Sequence, residues 1–473
     1  MRIILNTSLP FSSAEALSAT IKARRISCAE VMTHYLSEIA EKNGKLNAIV
    51  NIKPSDELIA DAVKADRLLS TGEHLGWMHG FPYALKDLLS VSGLPTTFGF
   101  KPFTNNMTHS DGLVSGRIRK SGAIFVGKTN TPEFGFGSHT YNSLFGTTKN
   151  AWNQHLTAGG SSGGSAVAVA SGMVPVAEGT DLMGSVRNPA AFNNIYGLRP
   201  TQGRIPDADA ASDVFYQQLR TVGPLAKNMT DLIRFMQVLE GFDPASPLSR
   251  MDAIDFGDAA ISSPLKDVRI GWMGDVSGYL QIESGILEMC EAALDRLESA
   301  GAQVSHCQPD FVWDELWESW TTLRQWSRLG MTYLLDRDDY RTALKPEVIW
   351  ELDRALVAPA QKVYDAAMVR SSWFRELSRQ FSSFDLIALP SAQVFPFDAD
   401  TKWPDSINGK TMDTYHRWME VTIYATLAGV PALNVPVGFG SNNRAMGMQF
   451  LAPYGEDAVL MKFGLSSELV MVD

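Results

Sequence analysis

The spacing of apolar and polar residues changes character several times along the chain. Over the first 70 residues it is helical. After Ser27, Val31, Tyr35, Leu36 and Ile39 recur at helical intervals. "SSAE" (12–15) and "SCAE" (27–30) each fit a capping box, in which serine and glutamate satisfy one another's free backbone amides. From residue 80 the texture becomes short apolar runs divided by turns. "FPYAL" and "GAIFVGK" read as strands, and "HSDGLVSGRIRKSG" reads as a helix stopped at Gly122. Repeated alternation of helix and strand predicts an α/β layer architecture. Residues 240–380 carry longer helices, more charge and the tryptophan-dense "FVWDELWESWTTLRQW". Strand-like runs return in "FDLIALPSA" and "GVPALNVPVGF". The late strands share the character of the early ones, so the expected fold is a single α/β domain over 1–473. Its core lies at about 70–235, a helical insertion at about 240–380, and returning core strands at about 381–465. Two independent domains fit this pattern less well.

Composition narrows the function classes. A chain of 473 residues with 45% hydrophobic and 20% charged residues is long enough to bury a substantial core. A net charge of −11 argues against nucleic acid or an anionic membrane surface as partner, since both reward a basic face. The start, "MRIILNTSLPF", has too short an apolar stretch for a secretory signal, and no run approaches bilayer-spanning length. Cys28, Cys290 and Cys307 are scattered, as are the eight histidines, which gives neither a disulfide framework nor metal-ligand spacing. The expectation is a cytoplasmic protein with no metal and no cofactor, acting on a small molecule as a monomer or homodimer.

"GGSSGGS" (159–165) has the composition of a flexible linker, yet the small apolar run "AVAVASGMVPVAEGTD" follows it directly. A phosphate cradle would need lysine followed by serine or threonine after the second glycine, and that pair is absent. A nucleophile elbow fits formally, with Ser162 as nucleophile in "GSSGG", but requires an acid and a histidine downstream. His306 and His416 exist, and neither stands in a telling context. The third reading turns to "EGTDLMGSVRNPAAF" (178–192), where Ser185 follows glycine at a tight polar bend. A nucleophilic serine needs its proton removed and needs backbone N–H groups aimed at the developing oxyanion, which amides from Leu182 through Ser185 could supply. An ordinary strand-to-helix turn accounts for the same segment. In "FPYALKDLLS", Lys86 stands in an apolar setting where its pKa would fall and a neutral amine could act as a base. A strand-end lysine paired with Asp87 is the plainer reading.

Taken in order, Lys86, the GGSSGGS loop and the GTDLMGSVR turn resemble the amidase signature family of Ser–Ser–Lys hydrolases. "VGKTNTPEFGFGSHTYNSLFGTTKNAWN", "NPAAFNNIYGLRPTQGRIP", "LAGVPALNVPVGF" and "GMQFLAP" extend the likeness over roughly 10–235 and 380–465. The resemblance implies a central mixed, twisted sheet flanked by helices, and amide-bond hydrolysis. By similarity Ser185 is the nucleophile, Lys86 the terminal base, and Ser161 the relay between them, preceded by a cis peptide after Gly160. The amides of Leu182, Met183, Gly184 and Ser185 form the oxyanion cradle, while Ser162, Asp181 and Arg187 support it.

One departure is Met183, where the family usually has a glycine. Its amide can still donate, but it demands a compatible φ/ψ and brings a flexible apolar side chain to the pocket. The family's substrates include acyl and aryl amides, carbamates, esters and, in one branch, glutamine for a tRNA-dependent amidotransferase. Trp313, Trp317 and Trp320 share one helical face with Trp326 beyond, which is either core packing or a pocket wall for an aryl or acyl group. The pocket reading leads toward a hydrophobic amide, anilide, carbamate or ester. The alternatives are a glutaminase-type subunit or a catalytically impaired binding protein on the same scaffold.

Overall fold

The computed structural model describes residues 13–207, 214–215, 218–259 and 264–471. The stretch "MRIILNTSLPF" and Ser12 therefore lie outside the described residues. An eight-stranded mixed sheet runs through the molecule, in the order Gln303–His306, Arg269–Trp272, Leu386–Pro390, Ala445–Leu451, Ala432–Phe439, Tyr196–Arg199, Thr221–Ala226 and Ala177–Asp181. The first three strands are mutually parallel, and every later neighbour is antiparallel. A second sheet pairs Ile49–Val50 with Ile124–Thr129, which runs parallel to Pro82–Lys86. Helices cover both sheets in one domain, as the alternating pattern requires.

The two sheets meet where Pro82–Lys86 lies beside Ala177–Asp181, and side chains make the junction. The Lys86 amide donates to Glu178 Oε1 at 2.6 Å, and the Glu178 amide donates to the Tyr83 hydroxyl at 3.0 Å. The Tyr83 hydroxyl also bonds the Glu178 carboxylate. Glu178 and Thr180 share one face of their strand because side chains alternate with period two. That face looks onto Lys86.

The apolar run after the glycine-serine loop forms the helix Gly163–Ala170, in which Val167 and Val169 are fully buried. Each such side chain contributes about 1.5–3 kcal/mol of burial. The loop packs too closely for side chains: a Cβ at Gly164 would lie 2.4 Å from the Asn130 amide nitrogen. Its composition therefore reflects close packing here.

Two expectations need correction. "SCAE" forms the reciprocal box around Cys28–Leu46, but the helix Ala14–Lys22 is capped by Ser13, whose Oγ accepts the Ala16 amide at 3.1 Å. Glu15 turns instead to Trp77 Nε1 at 2.8 Å and Arg234 at 3.0 Å. The segment 240–380 is also not purely helical. Alongside Ile286–Ser299, Trp313–Trp326, Pro346–Val357 and Ala360–Gln380 it contributes the strands Arg269–Trp272 and Gln303–His306. These are four-residue strands at the sheet edge, and the outer one is largely exposed, so neither has a strong apolar alternation.

Candidate active site

Lys86 ends its strand with its side chain buried. Nζ bonds three hydroxyls: Ser162 Oγ at 2.7 Å, Ser161 Oγ at 2.9 Å and Thr180 Oγ1 at 2.9 Å. Asp87 points away, taking the Thr97 amide at 2.9 Å and the Thr97 hydroxyl. This overturns the Lys86–Asp87 pair, since consecutive strand residues face opposite sides. Burial drives the Lys86 pKa well below that of an ordinary lysine; the Glu178 carboxylate opposes that shift and Arg220 reinforces it. A neutral amine has two donors and one lone pair, so one of the three hydroxyls then turns its proton toward nitrogen.

Ser161 and Thr180 also face a narrow cavity, which Ser185 lines as well. The Gly160–Ser161 peptide is cis. Ser162 is not in that lining: it is fully buried, and its Oγ accepts the Thr180 amide at 3.2 Å. A hydroxyl so enclosed cannot reach a substrate, which removes the elbow reading. The Ser162 amide donates to the Ser185 carbonyl at 3.2 Å, tying the two loops together.

The bend carrying Ser185 joins the strand Ala177–Asp181 to the helix Arg187–Phe192. The Asp181 carboxylate organises it. It accepts the amides of Gly184 at 3.0 Å, Val186 at 3.2 Å and Arg187 at 3.4 Å. It also accepts Arg187 Nη2 at 2.9 Å and Nε at 3.0 Å, and Arg199 Nη1 stands 3.5 Å from it. Burial alone would raise this carboxyl, but Arg187 and Arg199 outweigh it and hold the group below the usual carboxylate range.

That network corrects the four-amide cradle. The Gly184 amide is committed to Asp181, which takes it out of the four amides expected to form that cradle. Gly184 is the left-handed residue of the turn, at φ +75°, and a Cβ there would lie 2.6 Å from Thr422 Cγ2. Met183 is not among the residues of positive φ, so the backbone accepts it without strain, and the residue lines the cavity.

The tryptophans are a further correction, because none of Trp313, Trp317 and Trp320 lines this cavity. Trp313 packs edge-on against Trp373 at 5.5 Å, Trp320 is fully buried, and Trp317 lies 5.3 Å from the His416 ring. The stripe is core packing between Trp313–Trp326 and Ala360–Gln380, where Ser319 Oγ donates to the Ala366 carbonyl at 2.7 Å. The same helix and its C-terminal extension supply different groups to the cavity, Arg324 and Arg328, which join Leu88, Phe134, Arg220 and His416. Sequence reading missed these. Arg324 is an arginine inside a charge-rich helical pattern, Arg328 lies just past that helix, Arg220 stands in the loop before a strand, and "DTYHRWME" gives His416 no distinguishing neighbours, so none is marked out in the sequence. The alternation in "EGTD" was the one available signal for Thr180. His306 lies exposed on the edge strand.

With this geometry in view, the wider likeness has a physical basis. Residues 30–461 match the Amidase family profile, and the chain belongs to that family. It is an amide-hydrolysing enzyme of the amidase signature fold. An acylamidase from Rhodococcus erythropolis is 31% identical, with 98% of this chain and 96% of the relative aligned. A glutamyl-tRNA(Gln) amidotransferase subunit from Thermosynechococcus vestitus is 30% identical, with 97% of each chain aligned. Among solved structures, a bacterial aryl acylamidase of the amidase signature family superposes with a TM-score of 0.91 at 26% identity, covering 97% of this chain and 96% of that one.

Proposed function

We propose that the protein cleaves acyl amides through an acyl-Ser185 intermediate, with Lys86 and Ser161 moving the proton. Neutral Lys86 accepts the proton of Ser161 as Ser161 accepts that of Ser185, and Ser185 attacks the carbonyl. The amides of Leu182, Met183 and Ser185 receive the oxyanion. The proton returns through Ser161 to the departing nitrogen, which must be protonated to leave. Water then releases the acyl group. One observation carries this reading: a buried Lys86 Nζ lies 2.9 Å from a serine that opens onto the same cavity as Ser185. The acylamidase relatives and the apolar wall of Leu88, Phe134, Leu182 and Met183 support an acyl amide or anilide. Carbamates and esters present the same carbonyl to the site.

The amidotransferase relatives favour a second reading, hydrolysis of glutamine as one subunit of a complex. Turnover of an acyl anilide by the lone chain, with none of glutamine, separates the two. Labelling by a fluorophosphonate tests the nucleophile and distinguishes an impaired binding protein. Ser185→Ala should lose the label and about 10³-fold or more of kcat/KM, whereas Ser162→Ala should keep the label. Retained labelling in Ser185→Ala would defeat the proposal.

A further inference from the structure

Three arginines, Arg220, Arg324 and Arg328, line the cavity with Ser161 and Ser185, and among the described residues no aspartate or glutamate does. Two of them are matched. Arg220 Nε donates to Asp207 at 2.8 Å, and Arg324 binds Glu351 at 2.5 Å and the Tyr415 hydroxyl at 2.7 Å. Arg328 is different. Among the described residues no carboxylate stands within ion-pair distance of it, and its Nε is buried without a hydrogen-bond partner. Its guanidinium lies over the Phe136 ring at 5.1 Å. Glu351, the acid that acts on it electrostatically, is already bound by Arg324 and by Tyr415 at 2.8 Å. Burial, helped by Arg324, lowers the Arg328 pKa only to about 10, so it remains a cation at neutral pH.

Beside it, His416 is 2% exposed and lines the same cavity, yet neither ring nitrogen has a partner. Tyr415 stacks on the ring at 4.6 Å and Trp317 abuts it at 5.3 Å, so the imidazole is held firmly without being satisfied. Burial, with Arg324 and Arg417, keeps it uncharged. It therefore offers one N–H and one lone pair. Unpaired buried donors are costly in a free protein, and a ligand that pairs with them recovers that cost on binding. A guanidinium presents a planar fork that matches a carboxylate.

We propose that this pocket selects amides carrying a carboxylate elsewhere in the molecule, which Arg328 and His416 hold while Ser185 attacks the amide carbonyl. The inference rests on the Ser185 reading above. A monoanion fits the lining, whereas a zwitterion brings an ammonium into a pocket whose charged side chains are all basic. This places glutamine below N-acyl amino acids and carboxylated anilides as substrate.

The test compares kcat/KM for matched pairs that differ only in carboxylate against carboxamide. One pair carries the group on the amine side (4-acetamidobenzoate and its carboxamide), the other on the acyl side (succinanilate and its carboxamide). The carboxylate member of at least one pair should be favoured about 10- to 100-fold, the range for a charge-assisted hydrogen bond in a buried site. The favoured pair shows which side of the scissile bond faces Arg328. The ratio should collapse toward one in Arg328→Gln and be partly restored in Arg328→Lys. Fluorophosphonate labelling of Ser185 runs alongside. A label with no carboxylate preference in either pair overturns this inference alone, whereas absence of the label from wild type overturns the Ser185 reading and this inference with it.

Discussion

The basicity proposed for Lys86 comes from where the residue is put. Burial disfavours its ammonium more strongly than Glu178 favours it, so the folded state holds less proton there than the unfolded chain does. The resulting penalty is full below the folded pKa, shrinks as pH rises, and vanishes above the ordinary lysine value of 10.5. Lys86→Met should therefore abolish hydrolysis, by about 10²-fold or more. It should also gain more stability over wild type at pH 6 than at pH 9, as denaturant melts at the two pH values will read. In wild type, kcat/KM should climb with pH as the amine loses its proton. Removing the opposing charge with Glu178→Gln should move that rising limb to lower pH, which a pH–rate profile measures directly.

At the scale of elements, the bend between Ala177–Asp181 and Arg187–Phe192 depends on one carboxylate and one glycine. Asp181→Asn leaves the buried guanidinia of Arg187 and Arg199 without their counter-charge, and should cost about 3–5 kcal/mol in equilibrium unfolding. Gly184→Ala forces a Cβ into Thr422 at a left-handed position. It should cost about 1–3 kcal/mol and, by moving the Ser185 amide, reduce kcat more than it raises KM. Much of this level was legible in the residues. The box around Cys28–Leu46, the strands at 82–86, 124–129, 386–390 and 432–439, and the stop near Gly122 all follow from local spacing and capping. The Ser13 cap differs from the sequence reading because Glu15 finds Trp77 and Arg234, partners that no local pattern contains. The strands Arg269–Trp272 and Gln303–His306 escaped because short edge strands need little apolar alternation.

Across the whole molecule, the site is a junction. Lys86 comes from the small sheet, Thr180 from the edge of the large one, the serines from the loops between, and Arg328 and His416 from segments far along the chain. A single domain built this way should unfold as one unit. Most of its 11 tryptophans lie in the segment 240–380, so tryptophan fluorescence reports that region, while a fluorescent phosphonate on Ser185 reports the core. The two melting curves should coincide, and separate transitions would indicate a segment that folds alone.

What the residues determined by themselves is the α/β layering, and the resemblance to the amidase signature family, carried by stretches of sequence, picked out Lys86, Ser161 and Ser185. The layering is written in local spacing, and the resemblance rests on uninterrupted motifs in chain order. Tertiary structure alone decided which Lys86 neighbours are hydroxyls, that the Gly184 amide serves Asp181, and that arginines and a histidine line the pocket while the tryptophans fill the core. Those outcomes depend on which distant side chains share a buried volume, and burial and pairing set their charge and hydrogen-bonding state.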